Sequence, residues 1–129
     1  MEYFCTNCCK EKREDQGLLP AIKRYKSTRI DFVYNESINA GSPFMILSGK
    51  YGFIDANDEI PWYDQILMPE QVPSIVPKLV MQLREKNVSK IIFYGKAETT
   101  EGWSAYYSAI KSAASALDIP VKFRIVDMD

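Results

Sequence analysis

The sequence predicts one α/β domain, a three-layer α/β/α sandwich around a small, mainly parallel sheet of about four strands, because short apolar runs alternate with stretches of helical periodicity. No repeat, low-complexity tract or linker interrupts the 129 residues, a length that gives a single domain (1–129) with a core of its own. Apolar residues make up 47% and charged residues 26%, the balance of a globular chain rather than a disordered one.

The elements follow in order. Residues 2–6 open the chain as a strand through Tyr3, Phe4 and Cys5. Ile30, Val33, Tyr34 and Ile38 fall on one helical face, with Ser27 or Thr28 as cap and Gly41 just past the end. Phe44–Leu47 and Lys90–Tyr94 are compact apolar runs, the pattern of strands covered on both faces. Between them Ile75, Val76, Leu79, Val80 and Leu83 stripe a second helix, expected to be capped by Ser74 with Pro77 in its first turn. Trp103, Tyr106, Tyr107, Ile110, Ala113, Ala114 and Leu117 mark a third helix, and at that spacing the aromatics read as core. Val121–Val126 alternates Val121, Phe123 and Ile125 with Lys122 and Arg124, as at a sheet edge. Strand and helix alternating throughout imply parallel pairing with helices on both faces, a Rossmann-like arrangement. Ligands then collect beyond the carboxyl ends of the strands.

Composition excludes several functions. The net charge is −1, which gives no bulk case for a dedicated nucleic-acid binder. The charge is uneven, however: Lys10, Lys12, Arg13, Lys23, Arg24, Lys26 and Arg29 face only four acidic residues within positions 1–30, which suits an anionic ligand or a solvated helix face. No apolar run approaches the roughly 20 residues that span a bilayer. There is no basic-then-apolar start, and three crowded cysteines make a poor disulfide framework, so a cytoplasmic setting is expected. Cys5 and Cys8 form a C-x-x-C, but no histidine and no second cysteine cluster exist to complete a zinc site, and no metal or cofactor is expected. A redox dithiol and pocket-lining thiols remain as readings of the same cysteines. The lack of histidine removes Ser/His and Cys/His nucleophilic pairs.

Three polar or glycine-rich loops follow the apolar strands and so should meet at one rim. Cys8 and Lys10 lie in the first, Ser48, Gly49, Lys50, Tyr51 and Gly52 in the second, and Lys96 in the third. The two glycines flanking Lys50-Tyr51 permit positive φ or close approach, which would expose N–H groups to an anion with Lys50 adding charge; a plain structural turn is the alternative. It is not a P-loop, whose glycine-lysine spacing is absent. The second loop runs on through Trp62, Tyr63 and Asp64, where the aromatics would stack on a planar base and Asp64 would serve as a general base, or the group would simply plug the loop. Tyr25 and Arg29 lie one turn apart and share a face if their segment is helical.

Cys8-Cys9-Lys10, Pro20-Ala21 with Tyr25 and Arg29-Ile30, Leu47-Ser48-Gly49-Lys50-Tyr51-Gly52-Phe53-Ile54 and Ile60-Pro61-Trp62-Tyr63-Asp64 together resemble a family of small bacterial and phage domains. Its hallmark is a Leu-Ser-x-Lys-Tyr-Gly-Leu stretch followed by Pro-Tyr-Asp; here Trp62 stands between the proline and the tyrosine. A similar signature occurs in YaaA-type peroxide-stress proteins, and a looser one in domains attached to archaeosine-type tRNA-modifying enzymes. The likeness covers about the first half of the chain and implies a nucleic-acid or nucleobase setting without assigning a reaction.

The expected function is a pocket for a nucleotide- or nucleobase-like ligand at the carboxyl ends of the strands. Gly49, Lys50 and Gly52 would hold phosphate, Trp62 or Tyr63 would stack, and Asp64 would be the catalytic group of any glycosidic or phosphoester hydrolysis. Cys8, Lys10, Tyr25, Arg29, Ser48, Tyr51 and Lys96 complete the candidate set. The alternatives are a non-enzymatic nucleic-acid-binding accessory domain that uses the basic first third, and a protein-interaction module without a ligand.

Overall fold

The computed structural model describes residues 1–129. In chain order the elements are β1 (Glu2–Asn7), β2 (Leu19–Pro20), α1 (Ala21–Arg24), α2 (Thr28–Ala40), β3 (Phe44–Ser48), β4 (Gly52–Asp55) and β5 (Glu59–Ile60). A 3-10 turn at Pro69–Gln71, α3 (Val72–Glu85), β6 (Lys90–Gly95), α4 (Ser104–Ala116) and β7 (Val121–Ile125) complete it. Five strands form one sheet in the order β4-β3-β1-β6-β7, parallel except for β4. A small antiparallel pair, β2 with β5, lies apart.

Helices cover both faces, which gives the three-layer sandwich. The ring of Tyr94 in β6 meets Phe32 of α2 on one side, while its neighbour Phe93 meets Tyr107 of α4 on the other. Alternate residues of a strand point to opposite faces, so a single apolar run feeds both layers. β1, β3 and β6 are therefore buried almost end to end, as their apolar composition requires. β7 is the parallel edge strand its alternation predicts, with Lys122 and Arg124 exposed.

Several local expectations change. β4 is a fifth strand, antiparallel to β3 through the turn Gly49–Tyr51, with Gly52 at φ 73°. Only a residue without a Cβ adopts that conformation readily, and here a Cβ would also strike the Gln82 side chain. α3 begins at Val72, two residues before the expected cap Ser74, because the preceding 3-10 turn leads directly into it. Pro77 consequently lies beyond the first turn, inside the helix. The helix around Ile30 follows its signals closely: the Ser27 hydroxyl accepts from the Ile30 N–H at 3.0 Å, and Gly41 closes α2 in the left-handed conformation.

Candidate functional site

The order of strands fixes where a crevice opens. From β1 the chain passes toward α2 on one face; from β6 it passes to α4 on the other. Adjacent parallel strands whose connections leave in opposite directions cannot close over the gap between their carboxyl ends. A cavity of about 350 Å³ lies there. Asn7, Cys8, Cys9 and Lys10 line it after β1, and Lys96, Gly102 and Trp103 after β6. Lys26 and Arg29 enter from the start of α2, Ile66 from the long loop, and Asp129 from beyond β7.

Arg29 is the charged residue most deeply set in it. The second residue of α2, it is 2% exposed. Its Nη1 donates to Thr6 Oγ1 at 2.5 Å and to the Asn7 carbonyl at 2.8 Å, and Nη2 donates to the Cys8 carbonyl at 3.4 Å. All three acceptors are neutral. No carboxylate lies within ion-pair distance of the guanidinium, and its Nε has no partner at all. Burial pushes its pKa below the usual arginine range, yet the group keeps its charge at neutral pH. A buried cation held only by neutral acceptors is costly unless something anionic shares its site.

Trp103 holds the guanidinium from the side, with Arg29 Cζ 4.8 Å from the ring centre. The indole in turn packs against Gly95, where an added Cβ would come within 2.6 Å of the ring. Gly95 is fixed by an extension of the sheet, its carbonyl accepting from the Val126 N–H at 2.9 Å. Glycine at the end of β6 is thus a packing requirement that places Trp103 and, through it, Arg29. The aromatics of α4 are core as expected, but Trp103 and Tyr106 are also cavity wall.

The loop after β5 straps this wall in place. The Leu67 N–H donates to the Tyr106 hydroxyl at 2.9 Å, and the Cys8 thiol donates to the same oxygen at 3.5 Å. Gly49 lets the strap cross: a Cβ there would lie 2.7 Å from the Leu67 nitrogen. Behind the strap is a second cluster, of hydroxyls. Ser48 Oγ and the Tyr63 hydroxyl are 2.9 Å apart, and Tyr63 shares a short hydrogen bond with Tyr25. Burial pushes both phenols well above the usual tyrosine range. The Lys12 ammonium lies 4.6 Å from the centre of the Tyr63 ring; this lysine is buried and has no carboxylate partner.

The candidate residues therefore divide. Cys8, Lys10, Arg29 and Lys96 meet at the cavity. Tyr25, Ser48 and Tyr63 form the hydroxyl cluster, with the Tyr51 ring packed edge-on to Tyr63. Tyr25 and Arg29 do not share a helix face, because Tyr25 is extended and bridges Lys12 between α1 and α2. The glycine turn offers no anion nest: Ser48 Oγ already accepts from the N–H groups of Lys50 and Tyr51, each at 3.1 Å. Lys50 is exposed and outside the cavity. Trp62 is 48% exposed and lies against Leu18 and Pro61 in a separate depression. Asp64 is exposed, makes no hydrogen bond or ion pair and lies away from the cavity, so the general-base role has no geometry to rest on.

Among the cysteines, Cys5 is fully buried with its thiol pKa pushed up by burial, and Cys9 is pushed up to about 11 for the same reason. Cys5 and Cys8, the two cysteines of the C-x-x-C, are both buried, so the pair is no accessible dithiol. No cluster of three or more His, Cys, Asp or Glu side chains has metal-site geometry. The basic first third is also less of a surface than its composition suggests. Lys12, Arg24 and Arg29 are buried, and Arg24 spends five N–H contacts on the carbonyls of Arg13, Asp15, Gly17 and Ile60.

Sequence reasoning passed over Asn7, Trp103 and Asp129 as cavity residues. Trp103 carried a signal, standing just ahead of a helix and shortly after Gly95, but its helical spacing pointed to the core. No known protein family, curated protein or solved structure matches the chain.

Proposed function

We propose that this chain binds a nucleotide- or nucleobase-like anion in the cavity between the ends of β1 and β6. One observation carries the reading: Arg29 is buried in the cavity wall and no carboxylate lies within ion-pair distance of its guanidinium. Arg29, Lys10, Lys26 and Lys96 stand at the cavity against three carboxylates, Glu11, Glu101 and Asp129, which leaves its lining net positive by one charge. The cavity falls in the size range of small-ligand sites, about 300–1,000 Å³. Ile66 and Trp103 supply apolar contact for a planar group. The likeness of Leu47–Ile54 to YaaA-type proteins favours a nucleobase over other anions. Should hydrolysis follow binding, the carboxylates placed to take part are Glu11, Glu101 and Asp129, not Asp64.

The test begins with mass spectrometry of small molecules released from natively purified protein. Thermal denaturation with each common nucleoside and its 5′-monophosphate follows. A monophosphate at about 100 times its Kd should stabilise the fold by about 2.7 kcal/mol, and its nucleoside by less. Absence of any released nucleotide, with no thermal response to the whole panel, would reject the reading.

A further inference from the structure

The two edges of the sheet are finished differently. At β4 the Gln82 side chain accepts from the Phe53 N–H at 2.8 Å and donates to the Tyr51 carbonyl at 3.1 Å, and the Ala21 and Ile22 N–H groups reach the Asp58 and Ala56 carbonyls. β7 has no such cover. The Ile91 N–H donates to the Pro120 carbonyl at 3.0 Å and the Val126 N–H donates to the Gly95 carbonyl at 2.9 Å. In a parallel ladder this turns the main chain of the even positions toward β6, and that of Val121, Phe123 and Ile125 outward. No further strand lies beyond them, and no loop main chain bonds to them.

Side chains divide the same edge into two rows. Phe123 packs on Tyr107 of α4, so Val121 and Ile125 lie on that face with it, and Ile125 is 61% exposed. Arg124 lies over the ring of Tyr94 on the α2 face, where Lys122 stands beside it. Both cations are exposed and neither forms an ion pair. We propose that the outer edge of β7 docks an extended segment of a partner protein in which acidic and apolar residues alternate. The segment adds to the five-stranded sheet as a further strand. Its main chain takes up the outward groups, its apolar residues cover Ile125 and Phe123, and its carboxylates meet Lys122 and Arg124. A second copy of this chain fits poorly: antiparallel pairing centred on Phe123 would set Lys122 opposite Arg124 twice, and like charges directly opposite are destabilising.

The probe is a fluorescein-labelled peptide of about six residues, the usual length of a strand, alternating glutamate with valine and titrated with the full chain. Anisotropy should show saturable binding that weakens with added salt. A lysine–valine peptide should bind about tenfold more weakly, and Lys122→Glu combined with Arg124→Glu should reverse that preference. Ile125→Pro should abolish binding with the fold intact, because the N–H it removes points away from β6. The main-chain contact is also tested on the unaltered chain. N-methylation of the peptide's valines or of its glutamates should remove binding for the set that faces β7 and spare it for the other. No binding of the glutamate–valine peptide, equal affinity for the two peptides, or indifference to both Ile125→Pro and N-methylation overturns the proposal. So does a dimer in sedimentation that Ile125→Pro returns to monomer, since the edge then belongs to a second copy.

Discussion

Replacing each of the two buried arginines by methionine separates a cation kept for a ligand from one that builds the fold. Arg24 and Arg29 are both almost inaccessible and both lack a carboxylate partner, so each carries a similar desolvation cost of several kcal/mol. They differ in return. Arg24 makes five N–H contacts to main-chain carbonyls; Arg29 makes three contacts and leaves Nε unused. At about 1.5 kcal/mol for a bond from a charged donor, the three bonds of Arg29 roughly offset its desolvation. Arg29→Met should therefore leave stability within about 1 kcal/mol of wild type, since methionine fills much of the volume without a charge to bury. Arg24→Met loses two bonds more and should be about 3 kcal/mol worse than Arg29→Met. The shared desolvation cost cancels from that difference. Urea denaturation followed by tryptophan fluorescence measures both variants. Anion affinity should show the reverse order: unchanged in Arg24→Met and about 100-fold weaker in Arg29→Met, the loss of about 2.7 kcal/mol of charge-assisted contact. Equal destabilisation by the two substitutions would refute the argument, because Arg29 would then be as structural as Arg24.

Gly49→Ala places a Cβ against the Leu67 main chain, so the strap must lift; a loss of about 1–3 kcal/mol and faster hydrogen exchange at the Leu67 amide are expected. Gly95→Ala drives the indole of Trp103 off its seat, which should red-shift the tryptophan emission and weaken anion binding without unfolding the sheet. Tyr63→Phe strips the buried Tyr25 hydroxyl of its partner and should cost about 1–3 kcal/mol in thermal or urea unfolding. The same cluster sets an alkaline limit. Tyr25, Tyr63 and Cys5 have folded pKa values raised above their ordinary ones of 10.0, 10.0 and 9.0, so their protonated forms favour the native state. That contribution is complete at pH 7 and should erode as the pH climbs past 9 to 10, where the unfolded chain ionises first; stability independent of pH between 8 and 11 would contradict it.

The four parallel strands were legible because each is an apolar run with its own boundaries, and the crevice followed from their alternation with helices. β4 was not, because Phe53 and Ile54 directly follow the left-handed Gly52 and read as the continuation of a loop. Local pattern also misled where a distant partner decides the conformation. Tyr25 leaves the helix to bridge Lys12, and the N–H groups of Lys50 and Tyr51 turn inward to Ser48. Of the site, the residues that immediately follow strands, Cys8, Lys10 and Lys96, could be placed from the sequence, since the end of a buried strand fixes what comes next. Trp62 and Asp64 could not. They lie on a strap whose course is set by Gly49 and Tyr106, and no periodicity shows which side chains of such a segment turn outward.

β1 lies at the centre of the sheet, between a strand that begins at residue 44 and one that begins at residue 90. β1 thus waits for the chain as far as β6 before its second edge is covered, and the contact from Ser27 to Asp129 spans 102 positions. The β3–β4 hairpin, closed by a few residues, can assemble early; the crevice forms only when β6 adds to β1. Long-range pairing of this kind slows folding and leaves unpaired backbone edges of apolar strands open to misassociation in the interval. The geometry that gives the domain its cavity also makes that cavity among the last parts of the molecule to take shape.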